Sequence, residues 1–387
     1  AYETTATGTY VLQHFKDHNN QNITDPWIEK SNAANAGIDG AKIVWADEQD
    51  LVHLSASPIK QDGGNAYLDF EVKQADIQSG NAVVAVTKGS AGSKTVLWSW
   101  HLWFAPKDAL DKIKVTNHQN VNYYFTKEAL GWKPIQWSGS TYSSARTVKV
   151  KVEQTVANNG TKQEAVINIT QNPGNVKQGA TTLYQFGRKD AFPGVAKADL
   201  ASNSHFTENA GGNMSIENGI QHPDNFYTWS SSWYSAPPTG YSYYNLWSAD
   251  NTTTGFNDNH VVKTVYDPSP VGFKMPASNA FTGFTANGQD EGTMNVDGTD
   301  NVQTYYNNFG HNFWTSSSKT ATINFPASGF RFSNGGSLTD VGRSGYYWLA
   351  VPNGLSNGCD LFFHSYNVRP LSNDARSFGF AVRPVSE

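Results

Sequence analysis

Ten histidines are spread along the chain, and none belongs to a His-Glu-x-x-His pair or another metalloprotease spacing. His14 and His18 are four residues apart, which on a helix would turn two imidazoles toward one metal. Their neighbours Lys16, Asp17, Asn19 and Asn20 read instead as a polar loop. Gly354-Leu-Ser-Asn-Gly358 matches the Gly-x-Ser-x-Gly nucleophile pattern, which requires a strand before the serine and a helix after it. Here Ser356 stands between Pro352-Asn353 and an apolar run, so a turn is expected. No Gly-x-Gly-x-x-Gly and no Walker loop occurs. The single cysteine, Cys359, excludes an intramolecular disulfide and a cysteine-cluster zinc site. None of these patterns requires catalysis, though a hydrolase built on a carboxylate pair in a cleft stays open, and a noncatalytic protein is expected.

Two stretches carry binding chemistry. The Gly-rich segment from Gln289 to Asn301 gathers Asp290, Glu291, Asn295, Asp297 and Asp300. Calcium takes six to eight oxygens, and such loops supply them, although this spacing is not that of an EF-hand. A solvated loop braced by Asx-turns fits the same residues. The segment from Tyr227 to Asp250 carries Trp229, Trp233, Tyr234, Tyr241 and Trp247, with Asp250 at its end. Exposed, these rings would stack on the apolar faces of sugars while Asn and Asp read the hydroxyls. Buried, they would plug a domain poor in regular structure, as large aromatics commonly do.

The elements that must position these residues are mainly strands. Ala41–Trp45, Ala66–Val72, Asn81–Thr87 and Thr95–Phe104 alternate or run apolar between Gly-rich turns. Arg146 to Gln154 and Glu164 to Thr170 read as a hairpin, closed by an Asn-Gly step suited to positive φ and solvated on one face. Later strands are expected at Thr320–Phe325, Gly345–Ala350, Asp360–Ser365 and Ser377–Pro384. Short helices are expected at Pro106–Ile113, Thr126–Gly131 and Ser202–Asn209. Of the 387 residues, 38% are hydrophobic, 16% charged and 13% aromatic. That mixture has ample apolar surface to fold, and no run is long enough to span a membrane as a helix. A net charge of −5 argues against a nucleic-acid binder. The chain opens at Ala1 with neither Met nor signal peptide, which reads as a processed or excised piece.

Val96 to Phe104, Tyr184 to Pro193, Lys263 to Pro276, Gly345 to Trp348 and Gly379 to Pro384 together resemble hallmark stretches of fimbrillin-related surface proteins of Bacteroidetes. They cover most of residues 80 to 387. The later half also resembles the major paralogous domain first described in Fibrobacter, which is similar to C-type-lectin-like folds. The resemblance implies a mostly β chain with an α+β part. A β-sandwich of immunoglobulin-like or fimbrillin-like kind would span 1–118, and a loop-rich lectin-like domain 119–387, carrying the hairpin at 146–170. The implied role is a cell-surface adhesin or pilus-tip component, extracellular and fimbrial or anchored at the outer membrane. Its partners would be a host or bacterial surface ligand (glycan or protein) and other pilus subunits. A surface protein that captures glycans is the alternative. The family often carries Asp-Pro-Cys-Pro where Ser269 stands here, so no disulfide from that place to Cys359 can form. The calcium-sugar signatures of animal C-type lectins are missing, so calcium remains a possibility carried only by the loop at 289–301. Arg188, Lys189 and Asp190 can form an ion-pair network beneath Phe186 and Phe192; Asp267 can cap a turn; Arg383 suits a buried carboxylate.

Overall fold

The computed structural model describes residues 23, 25, 27–90, 92–133, 146–157, 159–171, 180–229, 246–249, 255–297, 310–354 and 356–387. The chain is mostly β. The first strands are β1 (Gly40–Ala46), β2 (His53–Asp62), β3 (Asn65–Glu71), β4 (Gly80–Lys88) and β5 (Thr95–Phe104). They continue with β6 (Lys112–Thr116), β7 (Asn122–Thr126), β8 (Arg146–Glu153), β9 (Glu164–Gln171), β10 (Tyr184–Gln185) and β11 (Phe273–Lys274). The remainder are β12 (Gly310–Trp314), β13 (Thr322–Pro326), β14 (Phe330–Arg331), β15 (Leu338–Thr339), β16 (Ser344–Asn353), β17 (Asn357–His364), β18 (Asn367–Ala375), β19 (Gly379–Phe380) and β20 (Val385–Ser386). The α-helices among the described residues are α1 (Ile28–Ser31) and α2 (Ile216–Gln221), the latter capped by Ser215, whose hydroxyl accepts from Asn218 N at 3.0 Å.

None of the three expected helices forms. Pro106 to Asp111 makes two tight turns and leads into β6, because Lys-Ile-Lys-Val-Thr alternates and pairs with β7. At 126–131 the backbone is engaged elsewhere. The Arg383 guanidinium takes the carbonyls of Thr126 and Lys127, and Leu130 N donates to Val382 O. At 202–209 the chain runs along β1 instead, with His205 N donating to Val44 O at 2.7 Å. In each case long-range partners win over a weak local helix preference.

Contacts group the chain into two compact units, and they do not divide near residue 118. The larger unit joins the residues up to Lys133 with Ala180–Glu387. The hairpin β6–β7 straddles the expected boundary and continues through β20 to β11. One core cluster takes Val44, Trp45, Val83 and Val96 from the N-terminal sheet β1–β4–β5 together with Tyr184, Phe186, Trp247, Trp348 and Phe380. Trp45 Nε1 donates to Ala191 O at 3.0 Å, and Trp103 Nε1 to Trp132 O at 2.9 Å. The Trp-rich strand β5 thus faces later sequence. A second cluster, built on Phe125, Phe281, Phe284, Phe313, Phe325 and Tyr347, packs the opposite face of the sheet β16–β17–β18.

Buried arginines hold the long loops of this unit. Arg331 donates to the carbonyls of Pro193, Val195 and Gly336 at 2.7–2.9 Å, and Arg383 donates to backbone carbonyls rather than to a carboxylate. A loop's orphan carbonyls need such donors when water is excluded. Asp267 does cap its turn: its carboxylate accepts from Ser269 N at 2.8 Å and from Met275 N at 2.9 Å.

The smaller unit lies within 134–179 and contains the expected hairpin. β8 and β9 pair from Arg146↔Gln171 to Glu153↔Glu164, with Asn159 and Gly160 both at positive φ in the connection. Val148, Val150, Val152, Ala165, Ile167 and Ile169 share one face by register. That face is exposed along with the polar one, where one solvated face was expected.

Candidate functional site

The sheet β16–β17–β18 and the short strands beside it assemble a row of aromatic rings from four separate segments. Period-two spacing puts Phe330 and Phe332 together, and likewise Phe362 and His364. Register then sets Tyr346 opposite Phe362. Ring centroids follow in sequence: Phe332 to Phe378 at 5.6 Å, Phe378 to Phe330 at 5.7 Å, and Phe330 to Tyr346 at 4.8 Å. The row goes on from Tyr346 to Phe362 at 4.7 Å, to His364 at 5.0 Å and to Tyr366 at 4.0 Å. Its two ends are open, Phe332 being 42% and Tyr366 71% exposed, and the rings between are half-buried. Trp229, 49% exposed, joins the Phe332 end through its backbone, Trp229 N donating to Ser333 O at 2.8 Å.

A carboxylate pair lies on the same face of the sheet. Asp360 stands opposite Trp348 on β16 and Ser372 on β18, and Asp374 lies two residues beyond Ser372, opposite Gly358. Gly358 leaves room for the Phe186 ring, which would lie 2.2 Å from a Cβ there. Asp360 is fully buried. Burial and the Asp374 charge hold its carboxyl well above the usual carboxylate range, against the influence of the Ser372 hydroxyl. Asp374 is pushed up to about 6 by burial, opposed by Arg369. The Tyr346 hydroxyl is raised by burial and by these two carboxylates.

The charge on buried Asp190 is matched. Asp190 receives Arg188 at 3.0 Å, Lys189 at 2.5 Å and the Ser99 hydroxyl at 2.9 Å, while Arg188 lies over Phe192 and Tyr227 and Lys189 over Trp98. This is the expected ion-pair network. His101 bridges Asn81 at 2.9 Å and Tyr184 at 3.0 Å, and burial lowers its pKa to about 3. Burial raises the Cys359 thiol to about 12, which leaves it unreactive.

The residues singled out in the sequence fall in several places. Trp229 is exposed beside the aromatic row. Trp247, expected among the stacking rings, is fully buried: it packs on Phe186 at 4.9 Å and donates to Arg188 O at 3.1 Å. It fills the core because the Gly-rich loops around it supply little other apolar volume. Trp233, Tyr234, Tyr241, Asp250 and Asp300 lie outside the described residues, as do His14 and His18. In the acidic loop Asp290 accepts from Leu371 N at 2.9 Å, and Asn295 donates to Gly283 O at 2.8 Å, so both brace the loop. Asp297 is exposed, its backbone N donating to Asn312 O. Among the described residues no group of three or more His, Cys, Asp or Glu is placed to hold a metal. Ser356 lies in the turn between β16 and β17, with no helix after it.

The row from Phe332 to Tyr366 and the pair Asp360/Asp374 were missed in the sequence. Their signals were Phe-x-Phe at 330–332, Phe-x-His-x-Tyr at 362–366 and an aspartate inside the apolar run from Cys359 to Phe363. The chain matches no protein-family model, no curated protein and no solved structure.

Proposed function

We propose that the chain is a noncatalytic cell-surface adhesin, fimbrial or anchored at the outer membrane, that holds carbohydrate on the aromatic row from Phe332 to Tyr366. The observation that carries this reading is the row itself. Aromatic rings are normally kept inside, and a run of them opening at both ends offers flat apolar faces for pyranose rings. Polar groups at the margin, Arg369 and Asp340 among them, are suited to hydroxyls. The surface role is supported by the resemblance of residues 80 to 387 to fimbrillin-related proteins.

A glycan array probed with the purified chain, with calcium and again with EDTA, tests it. Binding to a subset of glycans supports the reading, and binding to none, with a protein ligand found instead, refutes the carbohydrate part. Capture of glycans for uptake rests on the same rings. It would show as preference for free oligosaccharides over those displayed on cells.

A further inference from the structure

Asp360 is fully buried, and neither of its carboxylate oxygens has a hydrogen-bond partner. A carboxylate in that position is strongly disfavoured unless a counter-charge meets it. The groups nearest in register are engaged elsewhere. Trp348 Nε1 donates to Tyr184 O at 2.7 Å, Leu371 N donates to Asp290, and the Arg369 guanidinium pairs with Glu291. Ser372 and Asp374 share the face of Asp360 by register. Two carboxylates and a hydroxyl thus share one face of the sheet, and the cation that acts on Asp374, Arg369, is already paired with Glu291. This is hard-oxygen chemistry, suited to a cation that completes its shell with water and backbone carbonyls.

We propose that Asp360, Ser372 and Asp374 form a binding site for a hard divalent cation of the calcium kind. The site is separate from the acidic loop at 289–301, whose Asp290 already braces β18. The bound ion ties β17 to β18 beneath the Tyr346–Phe362 pair, and the inference stands whether or not the rings bind carbohydrate.

Terbium(III) is the probe, because Trp348 sits directly across from Asp360 and its indole can sensitise the lanthanide. The full chain is stripped with EDTA and titrated with Tb3+, then with competing Ca2+. The expected result is saturable sensitised emission displaced by Ca2+, together with a thermal midpoint that rises with Ca2+. Asp374→Asn weakens binding by about tenfold or more, since affinity follows the number of charged ligands. Asp360→Asn abolishes the calcium-dependent rise while still melting cooperatively. Asp290→Asn leaves both readouts unchanged. Emission that is absent, that is indifferent to Asp374→Asn, or that falls only in Asp290→Asn overturns the proposal. So does a stability that ignores Ca2+ in the wild-type chain, which would mean the two carboxyls share a proton instead.

Discussion

Asp190, 3% exposed, and Asp360, fully buried, lie in the same unit and are treated in opposite ways. Burial works to raise Asp190, but Lys189, Arg188 and the Ser99 hydroxyl outweigh it and hold the carboxyl below its ordinary range. Around Asp360 burial acts with the Asp374 charge, and the carboxyl goes up. In the first corner the carboxylate is met entirely by the protein's own side chains, although Arg188 Nε is left without a partner, and the corner serves as scaffold, locking the loop at 184–193 to β5 and Tyr227. The second is incomplete and stands next to exposed rings. A buried polar cluster that satisfies itself reads as structure; one that does not points to something the chain must bind.

The contrast can be broken most easily at Asp190. Asp190→Ala leaves Arg188 and Lys189 buried without their anion and is expected to cost about 3–5 kcal/mol, read from urea unfolding. A loss below about 1 kcal/mol would remove the distinction between the two corners.

The pH dependence sharpens it next. With the cation removed, the folded chain keeps a proton on Asp374 that the unfolded chain releases. Stability from that pair is therefore present in acid and is lost as the pH rises from the ordinary carboxylate value through about 6, by roughly 2 kcal/mol between about pH 4 and pH 7. Asp190 contributes with the opposite sign, its stabilisation being lost only as the pH drops below the usual carboxylate range. Thermal midpoints across pH in EDTA, for wild type and Asp374→Asn, separate the two: the variant is expected to lose the fall near pH 6.

A smaller effect is expected from removing the unmatched charge. In EDTA, Asp360→Asn leaves stability unchanged or raises it by about 1 kcal/mol, whereas Asp190→Asn lowers it. The smallest effect on stability belongs to the rings. Tyr366→Ala is expected to stay within about 0.5 kcal/mol of wild type, yet to weaken glycan binding by about tenfold.

The β-rich class was legible in the sequence, and so were particular strands. β4 and β5 announce themselves by apolar β-branched and Trp-rich runs, and β8–β9 by strict alternation around an Asn-Gly step. The N-terminal boundary was not, because Trp45, Trp98 and Trp103 look like the core of a small sandwich but pack against residues that come much later. The expected helices failed for a related reason: partners such as Arg383, remote in sequence, claim the carbonyls a helix would need. Of the candidate site only Trp229 was foreseen. The row of rings is built from segments at 330–332, 346, 362–366 and 378, and only tertiary pairing makes them neighbours. Trp247 misled because composition cannot tell a ring that plugs from a ring that faces outward.

The most direct test of the account is a side-by-side glycan array of the wild-type chain, Tyr366→Ala and Phe332→Ala, each first shown to melt like the wild type. The account predicts that wild type binds a defined set of glycans and that both variants lose most of that signal. Binding that survives both substitutions, or no binding by the wild-type chain at all, would contradict it.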